Sequence, residues 1–322
     1  MNRVEFGDCR ETMRRWAADG VRAQTCVTSP PYFGLRDYGH PGQIGLEHTP
    51  EEYIAAMVEV FRCVRDVLAD DGTLWLNIGD SYASNPASGG AQSSKMTGGE
   101  HKRTPAERKY QRPDGCKPKD LVGIPWMLAF ALRADGWYLR QDIIWHKPNP
   151  MPESVRDRCT KAHEYVFLLS KSERYFFDNE AIKEPETMKP QRRLTPRKAN
   201  PSAKVHGMPA YRQAEGGTGG GMRNRRSVWT VATRPYKGAH FATFPPALIE
   251  PCVLAGSRPG DIVLDPFMGS GTTAAVALQH GRQYLGCELN AEYGALQAER
   301  INEAKEAAAC AAAQPDLFER AA

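Results

Sequence analysis

A glycine-rich turn between a buried strand and a helix, near the end of the chain, constrains the fold more than any other feature. Asp261–Leu264 has the pattern of a short buried strand, and the sequence Asp-Pro-Phe-Met-Gly-Ser-Gly-Thr-Thr follows it over Asp265–Thr273. A predicted helix over Thr272–His280 and a predicted strand over Gln283–Glu288 come next. This order predicts a mostly parallel α/β sheet, with a ligand site at the carboxyl ends of its strands.

The turn has the features of a nucleoside-binding loop. Gly269 and Gly271 would let a ligand approach the backbone closely, and the helix N-terminus offers free N–H groups. A Walker phosphate loop is excluded because no Lys precedes the Ser/Thr position, and the dinucleotide pattern GxGxxG is incomplete. Glu288 ends the next strand, where a carboxylate can accept hydrogen bonds from ribose hydroxyls. We therefore expect S-adenosyl-L-methionine as the cofactor; the alternative is a structural turn with a surface acid.

A second stretch, far away in the sequence, has the features of a catalytic loop. The short apolar strand Cys26–Thr28 leads directly into Ser29-Pro30-Pro31-Tyr32. Two consecutive prolines exclude a helix and leave carbonyl groups without neighbouring amide donors. Such a stiff loop can present acceptors to a planar amine, although a rigid turn with a packed ring is the alternative interpretation.

The rest of the chain alternates between regular and irregular segments. The predicted elements are a strand over 1–8, a helix over 9–19, a helix over 50–69 that Asp70–Gly72 ends, a strand over Thr73–Ile78, a helix over Pro125–Ala134, strands over Tyr138–Trp145 and Glu164–Ser170, and helices over Ala247–Leu254 and Ala291–Ala313. The two strands after residue 137 are close in sequence and suggest a hairpin. We expect a mobile loop over 84–119 and irregular structure over 185–236.

The basic residues are concentrated in those two irregular segments. Residues 84–119 carry eight Lys and Arg against three acidic residues, and residues 186–237 carry twelve against two. Because the whole chain carries only +4, the rest of it is acidic. An acidic body with basic arms favours a polyanionic partner.

Cysteine spacing and hydropathy indicate the class of protein. The eight cysteines show neither zinc-ligand spacing nor the density of a disulfide framework, so no metal site is expected. Neither a signal peptide nor a membrane-spanning run is visible, and a cytoplasmic, nucleoid-associated location is the expectation.

Together the two loops resemble the signatures of the amino-group DNA methyltransferases, which methylate N4 of cytosine or N6 of adenine. Thr28–Tyr32 is similar to their S/D/N-P-P-Y/F/W motif, Asp265–Thr273 to their cofactor motif, and Phe241–Pro245 to the element preceding it. The catalytic motif comes first, as in the β-arranged, circularly permuted group. The resemblance implies a Rossmann-like methyltransferase fold, mostly parallel, with a reversed strand hairpin.

The resemblance also implies roles for individual residues. Ser29 and Pro30 would accept the amine hydrogens, Pro31 would fix the loop, and Tyr32 would stack on an extruded base. Asp8, Phe244, Pro245, Asp265, Pro266, Phe267, Gly269, Ser270, Gly271, Thr272, Thr273 and Glu288 would form the cofactor site. Asp8 could instead cap a helix, as could Thr272. Family members with Ser at the position of Ser29 are mostly cytosine-N4 enzymes, so N4-cytosine methylation is preferred over N6-adenine methylation.

Double-stranded DNA is the expected partner. Lys147 and Lys161 match segments that flank the target base, whereas His163 is interpreted as a structural residue. Residues 186–237 are predicted to recognise the target sequence, unless they form a solvated linker. The arginines and lysine proposed there are Arg192, Arg193, Arg197, Lys198, Arg223, Arg225 and Arg226.

A further short motif and several alternatives complete the sequence-based predictions. Gln314–Phe318 resembles the peptide that docks onto the sliding clamp, although a polar tail is the alternative. A cognate restriction endonuclease is another possible partner. A non-catalytic binding protein and an enzyme acting on RNA or protein amines stay open as rival functions.

The expected division of the chain is 1–83 and 120–185 as the catalytic half, 84–119 and 186–237 as basic segments, 238–310 as the cofactor half and 311–322 as a tail.

Overall fold

A central sheet of eight strands organises the molecule. The computed structural model describes residues 1–35, 37, 39–83, 115–186, 221–233 and 244–313. The strands are β1 (Arg3–Phe6), β2 (Ala23–Thr28), β3 (Leu68–Ile78), β4 (Tyr138–His146), β5 (His163–Ser170), β6 (Glu184–Pro185), β7 (Met222–Arg223), β8 (Val228–Thr230), β9 (Ile262–Asp265) and β10 (Gln283–Glu288). The helices are α1 (Cys9–Ala18), α2 (Pro50–Val67), α3 (Ile124–Ala134), α4 (Pro246–Gly256), α5 (Thr272–Gln279) and α6 (Gly294–Ala313), with 3-10 turns at Glu180–Ile182 and Ala291–Tyr293.

The strand order confirms the predicted mostly parallel sheet. It runs β1-β10-β9-β2-β3-β5-β4-β8, with β6 and β7 forming a separate two-stranded ladder. Only β5 is reversed in the large sheet, since it pairs antiparallel with both β3 and β4. The hairpin suggested by the sequence is therefore β4–β5. The predicted catalytic and cofactor halves meet inside this sheet, because β2 pairs directly with β9.

Two apolar cores lie on opposite faces of the sheet. Side chains of α1, α2 and α3 pack on one face and those of α4, α5 and α6 on the other. Successive residues of a strand point into opposite cores: Leu74 and Leu76 belong to the first core, and Trp75 between them belongs to the second. A sheet covered on both faces has near-continuous hydrophobic strands, which explains the unbroken apolar runs in the sequence.

The prediction that Asp70–Gly72 would separate α2 from the next strand was wrong. Strand β3 begins at Leu68, immediately after the helix. The ladder with β2 pairs Ala23 with Leu68 and then Thr25 with Thr73, so the polar triplet is accommodated as a bulge. A bulge of this kind keeps the strand in the sheet while its extra residues leave the ladder.

Other predicted boundaries also need correction. The first strand covers Arg3–Phe6 only, and α6 begins at Gly294 because a 3-10 turn occupies Ala291–Tyr293. Residues 185–236 were predicted to be irregular, yet β8 joins the main sheet in parallel with β4. Its Trp229 is buried in the second core, and that burial holds the strand in place. Most of the predicted mobile loop 84–119 lies outside the described residues. Its two ends are tied together, since the Lys119 N–H donates to the Ala83 carbonyl at 2.8 Å.

Candidate active site

The candidate site lies at one edge of the sheet, where five neighbouring parallel strands end. In spatial order they are β1, β10, β9, β2 and β3. Gly7 and Asp8 follow the first, and Glu288, Asp265 and Thr28 are the last residues of the next three. The predicted catalytic and cofactor loops both start from this edge, the position where open α/β sheets bind ligands.

A hydrogen bond joins the two loops at their roots. The buried Thr28 hydroxyl donates to Asp265 Oδ1 at 2.6 Å. Asp265 Oδ2 accepts at 2.6 Å from the hydroxyl of Thr273, and the Phe267 N–H donates to Oδ1 at 3.0 Å. Asp265 is only 1% exposed, and burial raises its pKa to about 6 despite these three donors. The Asp265 carboxylate and the Thr273 hydroxyl are thus committed to holding the loops together.

The catalytic loop is anchored through one of its two proline carbonyls. The fully buried Tyr53 of α2 donates its hydroxyl to the Pro31 carbonyl at 2.9 Å. No residue in the described parts of the chain donates a hydrogen bond to the Pro30 carbonyl. Ser29 is half-buried and directly precedes it. The loop therefore fixes one carbonyl and leaves the other, next to the Ser29 hydroxyl, able to accept.

Tyr32 is held by residues to which the sequence analysis assigned no role of their own. Its hydroxyl donates to Glu164 Oε2 at 2.7 Å, and its ring packs directly on the backbone at Gly79. A Cβ at that glycine would lie 2.7 Å from Tyr32 Cε2, which is closer than real contacts allow. Burial and then the nearby Glu164 charge raise the pKa of Tyr32 well above its usual value, so the phenol stays protonated.

Glu164 reaches the site because β5 runs against its neighbours. The amino end of a reversed strand lies at the edge where the parallel strands have their carboxyl ends. In the ladder, Tyr165 pairs with Ile78, which places Glu164 beside Gly79. The sequence signal that could have placed Glu164 at this edge was the predicted hairpin, since one strand of a hairpin runs against the other.

Both lysines proposed for DNA contact point into this network. Lys147 forms a salt bridge with Glu164 Oε1 and lies 4.3 Å from the centre of the Trp145 ring. Lys161 donates to the Asp80 carbonyl at 2.8 Å, and burial lowers its pKa. His163 packs edge-on against Tyr165, and burial lowers its pKa, in keeping with a structural role.

The cofactor loop has the backbone geometry that its glycines predict. Gly269 and Gly271 have φ of +52° and +83°, in the left-handed region. Glu288 is buried at the end of β10, and its carboxylate accepts from the N–H groups of Gly269 at 2.7 Å and Asn290 at 2.9 Å. Burial raises the pKa of Glu288. Each carboxylate oxygen keeps lone pairs for a ribose hydroxyl. The donor and acceptor set thus fits an adenosyl group.

Helix α6 supports the cofactor loop through hydrogen bonds from its side chains, a feature that the sequence analysis did not predict. The Gln297 amide donates to the Gly269 carbonyl at 2.7 Å. One turn further on, the Arg300 guanidinium donates to the hydroxyls of Ser270, at 2.6 Å, and of Thr272. Gln297 and Arg300 are three residues apart and therefore lie on the same face of α6. That spacing was the sequence signal for this pair.

The remaining predicted cofactor residues flank this loop. Asp8 caps α1 by accepting from the Arg10 N–H at 2.7 Å, and the Arg10 side chain bonds the same carboxylate and lowers its pKa. The capping role foreseen as the alternative is therefore present. Pro245 is buried at the start of α4, Phe244 packs against the second core, and Pro266 and Phe267 continue from Asp265.

Only part of the predicted DNA-recognition region is described. Arg223 and Arg226 both bond Glu184 Oε1, at 3.0 and 2.6 Å, and Arg225 lies 4.9 Å from the centre of the Trp229 ring. Arg192, Arg193, Arg197 and Lys198 lie outside the described residues, as do Phe241–Thr243 and Gln314–Phe318.

Comparison with known proteins identifies the family. A family model described as DNA methylase, for the N6/N4 type, matches residues 23–299. The chain belongs to this family. It is 49% identical over 298 residues to the type II methyltransferase M.XycI of Xanthomonas campestris pv. cyanopsidis, covering 92% of this chain and 86% of the relative. It is 48% identical to M.SmaI of Serratia marcescens, covering 93% and 90%. The sequence-based resemblance is confirmed.

Solved structures agree on the methylase fold. The cytosine-N4-specific PvuII DNA methyltransferase superposes with a TM-score of 0.58 at 18% identity, over 96% of this chain and 92% of that one. A putative DNA modification methylase from Thermus thermophilus, in complex with S-adenosyl-L-methionine, gives 0.56 at 23% identity, over 95% and 96%. The expected cofactor, S-adenosyl-L-methionine, is confirmed for this methylase by its family.

The described residues contain neither a membrane-spanning helix nor a metal-binding cluster. No described helix is long and apolar enough to cross a membrane. Within the same residues, no group of His, Cys, Asp and Glu side chains is arranged to hold a metal ion.

Proposed function

We propose that this methylase transfers a methyl group from S-adenosyl-L-methionine to the exocyclic N4 of cytosine in duplex DNA, after the base has been flipped out of the helix. The observation that carries the proposal is the junction of the two loops. The Thr28–Asp265 bond places Ser29 next to the root of the cofactor loop. The methyl donor and the amine acceptors therefore share one edge of the sheet.

The acceptors have the chemistry that an exocyclic amine needs. The amine is a poor nucleophile because its lone pair is delocalised into the ring. The Ser29 hydroxyl oxygen and the Pro30 carbonyl would each accept a hydrogen bond from one amine N–H. These bonds favour localisation of the lone pair on nitrogen and stabilise the positive charge that develops there. The cofactor supplies an activated methyl group on sulfonium, so no strong base has to act first.

The cofactor loop would bind the donor through groups that are still able to accept or donate. Glu288 would accept from the ribose hydroxyls. The Thr273 hydroxyl is taken by Asp265, so the N–H groups of Thr272 and Thr273 in the first turn of α5 would meet the methionine carboxylate. Gly269 and Gly271 keep the loop backbone free of side chains where the ligand passes.

Base flipping is supported by the position of Tyr32. A target amine inside the duplex cannot reach a loop at the edge of a sheet, so the nucleotide has to leave the stack. The Tyr32 ring follows Pro31 directly and would stack on the extruded base, a contact worth about 1–3 kcal/mol. The PvuII enzyme, described as cytosine-N4-specific, has the same fold, which accommodates this chemistry.

The recognition residues and partners extend the proposal. Arg223, Arg225 and Arg226, together with the basic residues of 186–237 beyond the described parts, would contact phosphates and guanine edges. Two relatives are named type II methyltransferases, which supports a cognate restriction endonuclease as a partner. Docking of Gln314–Phe318 on the sliding clamp stays a prediction, tested by deleting 314–322 and measuring clamp binding.

The decisive experiment identifies the methylated nucleoside. The protein is incubated with methyl-labelled S-adenosyl-L-methionine and duplex DNA, and the digested nucleosides are analysed by mass spectrometry, with RNA and the Ser29→Ala variant as controls. We expect labelled N4-methylcytosine from DNA only, and a large loss in the variant. N6-methyladenine would overturn the base assignment, and the absence of label in DNA would overturn the proposed function.

A further inference from the structure

We propose that Glu164 is a positioning residue for methyl transfer, which fixes the ring of Tyr32 in the catalytic loop with Lys147 as its counter-ion. The inference rests on the proposed function, because the orientation of the ring matters only if a base stacks on it. Nothing in the two sequence motifs points to Glu164, which lies more than a hundred residues from Tyr32 in the chain.

The hydrogen bonds around Glu164 converge on Tyr32. One carboxylate oxygen, Oε2, accepts from the Tyr32 hydroxyl at 2.7 Å and from the Asn77 amide at 3.3 Å. The Asn77 amide also donates to the Tyr165 carbonyl at 3.1 Å, so it ties β3 to β5 at this point. With the backbone at Gly79 against one edge of the ring, Tyr32 is restrained at both its hydroxyl and its side.

The other carboxylate oxygen makes the arrangement electrostatically stable. Oε1 receives the ammonium of Lys147, and the two side chains are only 19% and 16% exposed. Taking one charge out of water without the other would be costly, and the face of Trp145 offers a further favourable contact to the ammonium. Replacing an ion pair of this kind by apolar residues is often tolerated, so it is weak evidence for stability alone. Its placement on the Tyr32 hydroxyl favours an orienting role.

This arrangement also gives Lys147 a different role from the phosphate contact expected from the sequence. Its charge is already balanced by Glu164, and a phosphate would have to compete with that carboxylate. Lys147 therefore serves as the counter-ion of Glu164, the residue that accepts from the Tyr32 hydroxyl. The bond from Tyr53 to the Pro31 carbonyl is a different kind of anchor, because it fixes the loop backbone and does not itself restrain the Tyr32 ring.

A double-mutant cycle tests whether Glu164 acts through the Tyr32 hydroxyl. Glu164→Ala, Tyr32→Phe and the double variant are compared with the wild type in single-turnover methylation of duplex DNA at saturating cofactor and DNA. We expect each single change to slow the step by about tenfold and the double variant to be no slower than the slower single one, because both remove the same restraint. Cofactor affinity should change by less than about twofold. Losses that multiply, or a parallel fall in cofactor affinity, would overturn the inference.

A second variant separates orientation from charge and from folding. Glu164→Gln combined with Lys147→Met keeps an acceptor for the Tyr32 hydroxyl and removes both charges. We expect it to recover most of the rate lost in Glu164→Ala, whereas a rate as low as that of Glu164→Ala would contradict the positioning role. Arg62→Met is the matched control, since its ion pair with Asp135 lies on the surface of α2 with the arginine side chain 59% exposed, and it should leave the rate unchanged.

The cycle is also measured in urea unfolding, which does not depend on activity. We expect the double variant to lower the urea midpoint by less than the sum of the effects of Glu164→Ala and Tyr32→Phe. Effects on the midpoint that add strictly would overturn the inference. A wild type that does not methylate DNA would instead overturn the proposed function, so the two failures are distinguishable.

Discussion

The Thr28 hydroxyl and the Asp265 carboxylate form a 2.6 Å hydrogen bond across 237 positions of sequence. Each residue ends a strand, and each strand leads into one of the two loops of the site. Because β2 and β9 are neighbours in the sheet, the bond sets the distance between the proposed amine acceptors and the cofactor loop. The structure thus joins at one point two motifs that the chain keeps far apart.

Removing this bond should weaken the junction. Thr28→Val keeps the shape of the side chain but deprives the buried carboxylate of one donor. We expect the free energy of unfolding to fall by about 1.5–3 kcal/mol, the range for a hydrogen bond to a charged group. Urea unfolding measures the change. The exposed Thr160→Val should cost far less, and an equal cost for both would show that the junction has no special importance.

The junction should also make stability depend on pH. The pKa of Asp265 is raised by burial to about 6, from 3.8 in an unfolded chain. The folded protein therefore binds this proton more readily, and the contribution of the group to stability rises as the pH falls through about 6 toward 3.8. Compared with Asp265→Asn, the wild type should gain about 1 kcal/mol between about pH 7 and pH 5. Urea titrations at both pH values measure the difference. A wild type that loses stability relative to the variant would contradict the assignment.

Cofactor affinity should depend on Glu288. In Glu288→Gln one oxygen remains for the Gly269 N–H, but the charged acceptor for the ribose is lost. We expect the dissociation constant for S-adenosyl-L-methionine to rise about tenfold, corresponding to about 1.4 kcal/mol. Isothermal titration calorimetry measures it. Glu292→Gln, an exposed acid in the following 3-10 turn, is the matched control and should bind normally. Equal affinities in the two variants would remove Glu288 from the ribose site.

The backbone at Gly79 should be intolerant of a side chain. In Gly79→Ala the new Cβ would lie 2.7 Å from Tyr32 Cε2 and 3.3 Å from Glu164 Cγ, so the ring has to move. We expect methylation to slow by about tenfold or more, since a small misplacement at a reacting centre is costly, while cofactor affinity is kept. Gly294→Ala is the control, because its Cβ meets only the exposed Phe6 ring at 3.2 Å. Normal methylation by Gly79→Ala would mean that the ring position is unimportant.

DNA binding should be strongly salt-dependent. The logarithm of the affinity should fall by about 0.9 for each phosphate neutralised, per log unit of salt. In Arg226→Gln, which removes a cation whose side chain is 66% exposed, the slope should decrease by about one phosphate. Fluorescence anisotropy over a salt series measures both slopes, with Arg62→Gln as a control of equal charge change. Salt-insensitive binding would contradict the role of the basic segments.

Much of the fold was predictable because its signals are local. The βαβ pattern around Asp265–Thr273 and the proline loop after Thr28 predict strands that end at one edge, and the structure confirms this. Boundaries were missed where long-range pairing overrode local signals. Asp70–Gly72 is a helix-ending sequence, yet pairing of β3 with β2 absorbs it as a bulge. Strand β8 was missed because three residues have no periodicity, and burial of Trp229 in the sheet decides it.

The candidate site was predictable only in part, for the same physical reason. Two motifs identify the residues proposed to carry the chemistry, since residue type and strand-to-loop position are properties of the sequence. Partners depend on which strands become neighbours. The structure shows that Asp265 holds loops together, that Asp8 caps α1, and that Lys147 pairs with Glu164.

The sequence by itself determined the family, the cofactor and the two loops, because each rests on residues that are consecutive in the chain. Only the tertiary structure decided that the loops are joined through Thr28 and Asp265, and that Tyr32 is held by Glu164. The reversal of β5 is the reason, since it brings the start of that strand to the edge where the other strands end. The separation of two residues along the chain does not reveal such a contact, whereas the pairing of their strands does.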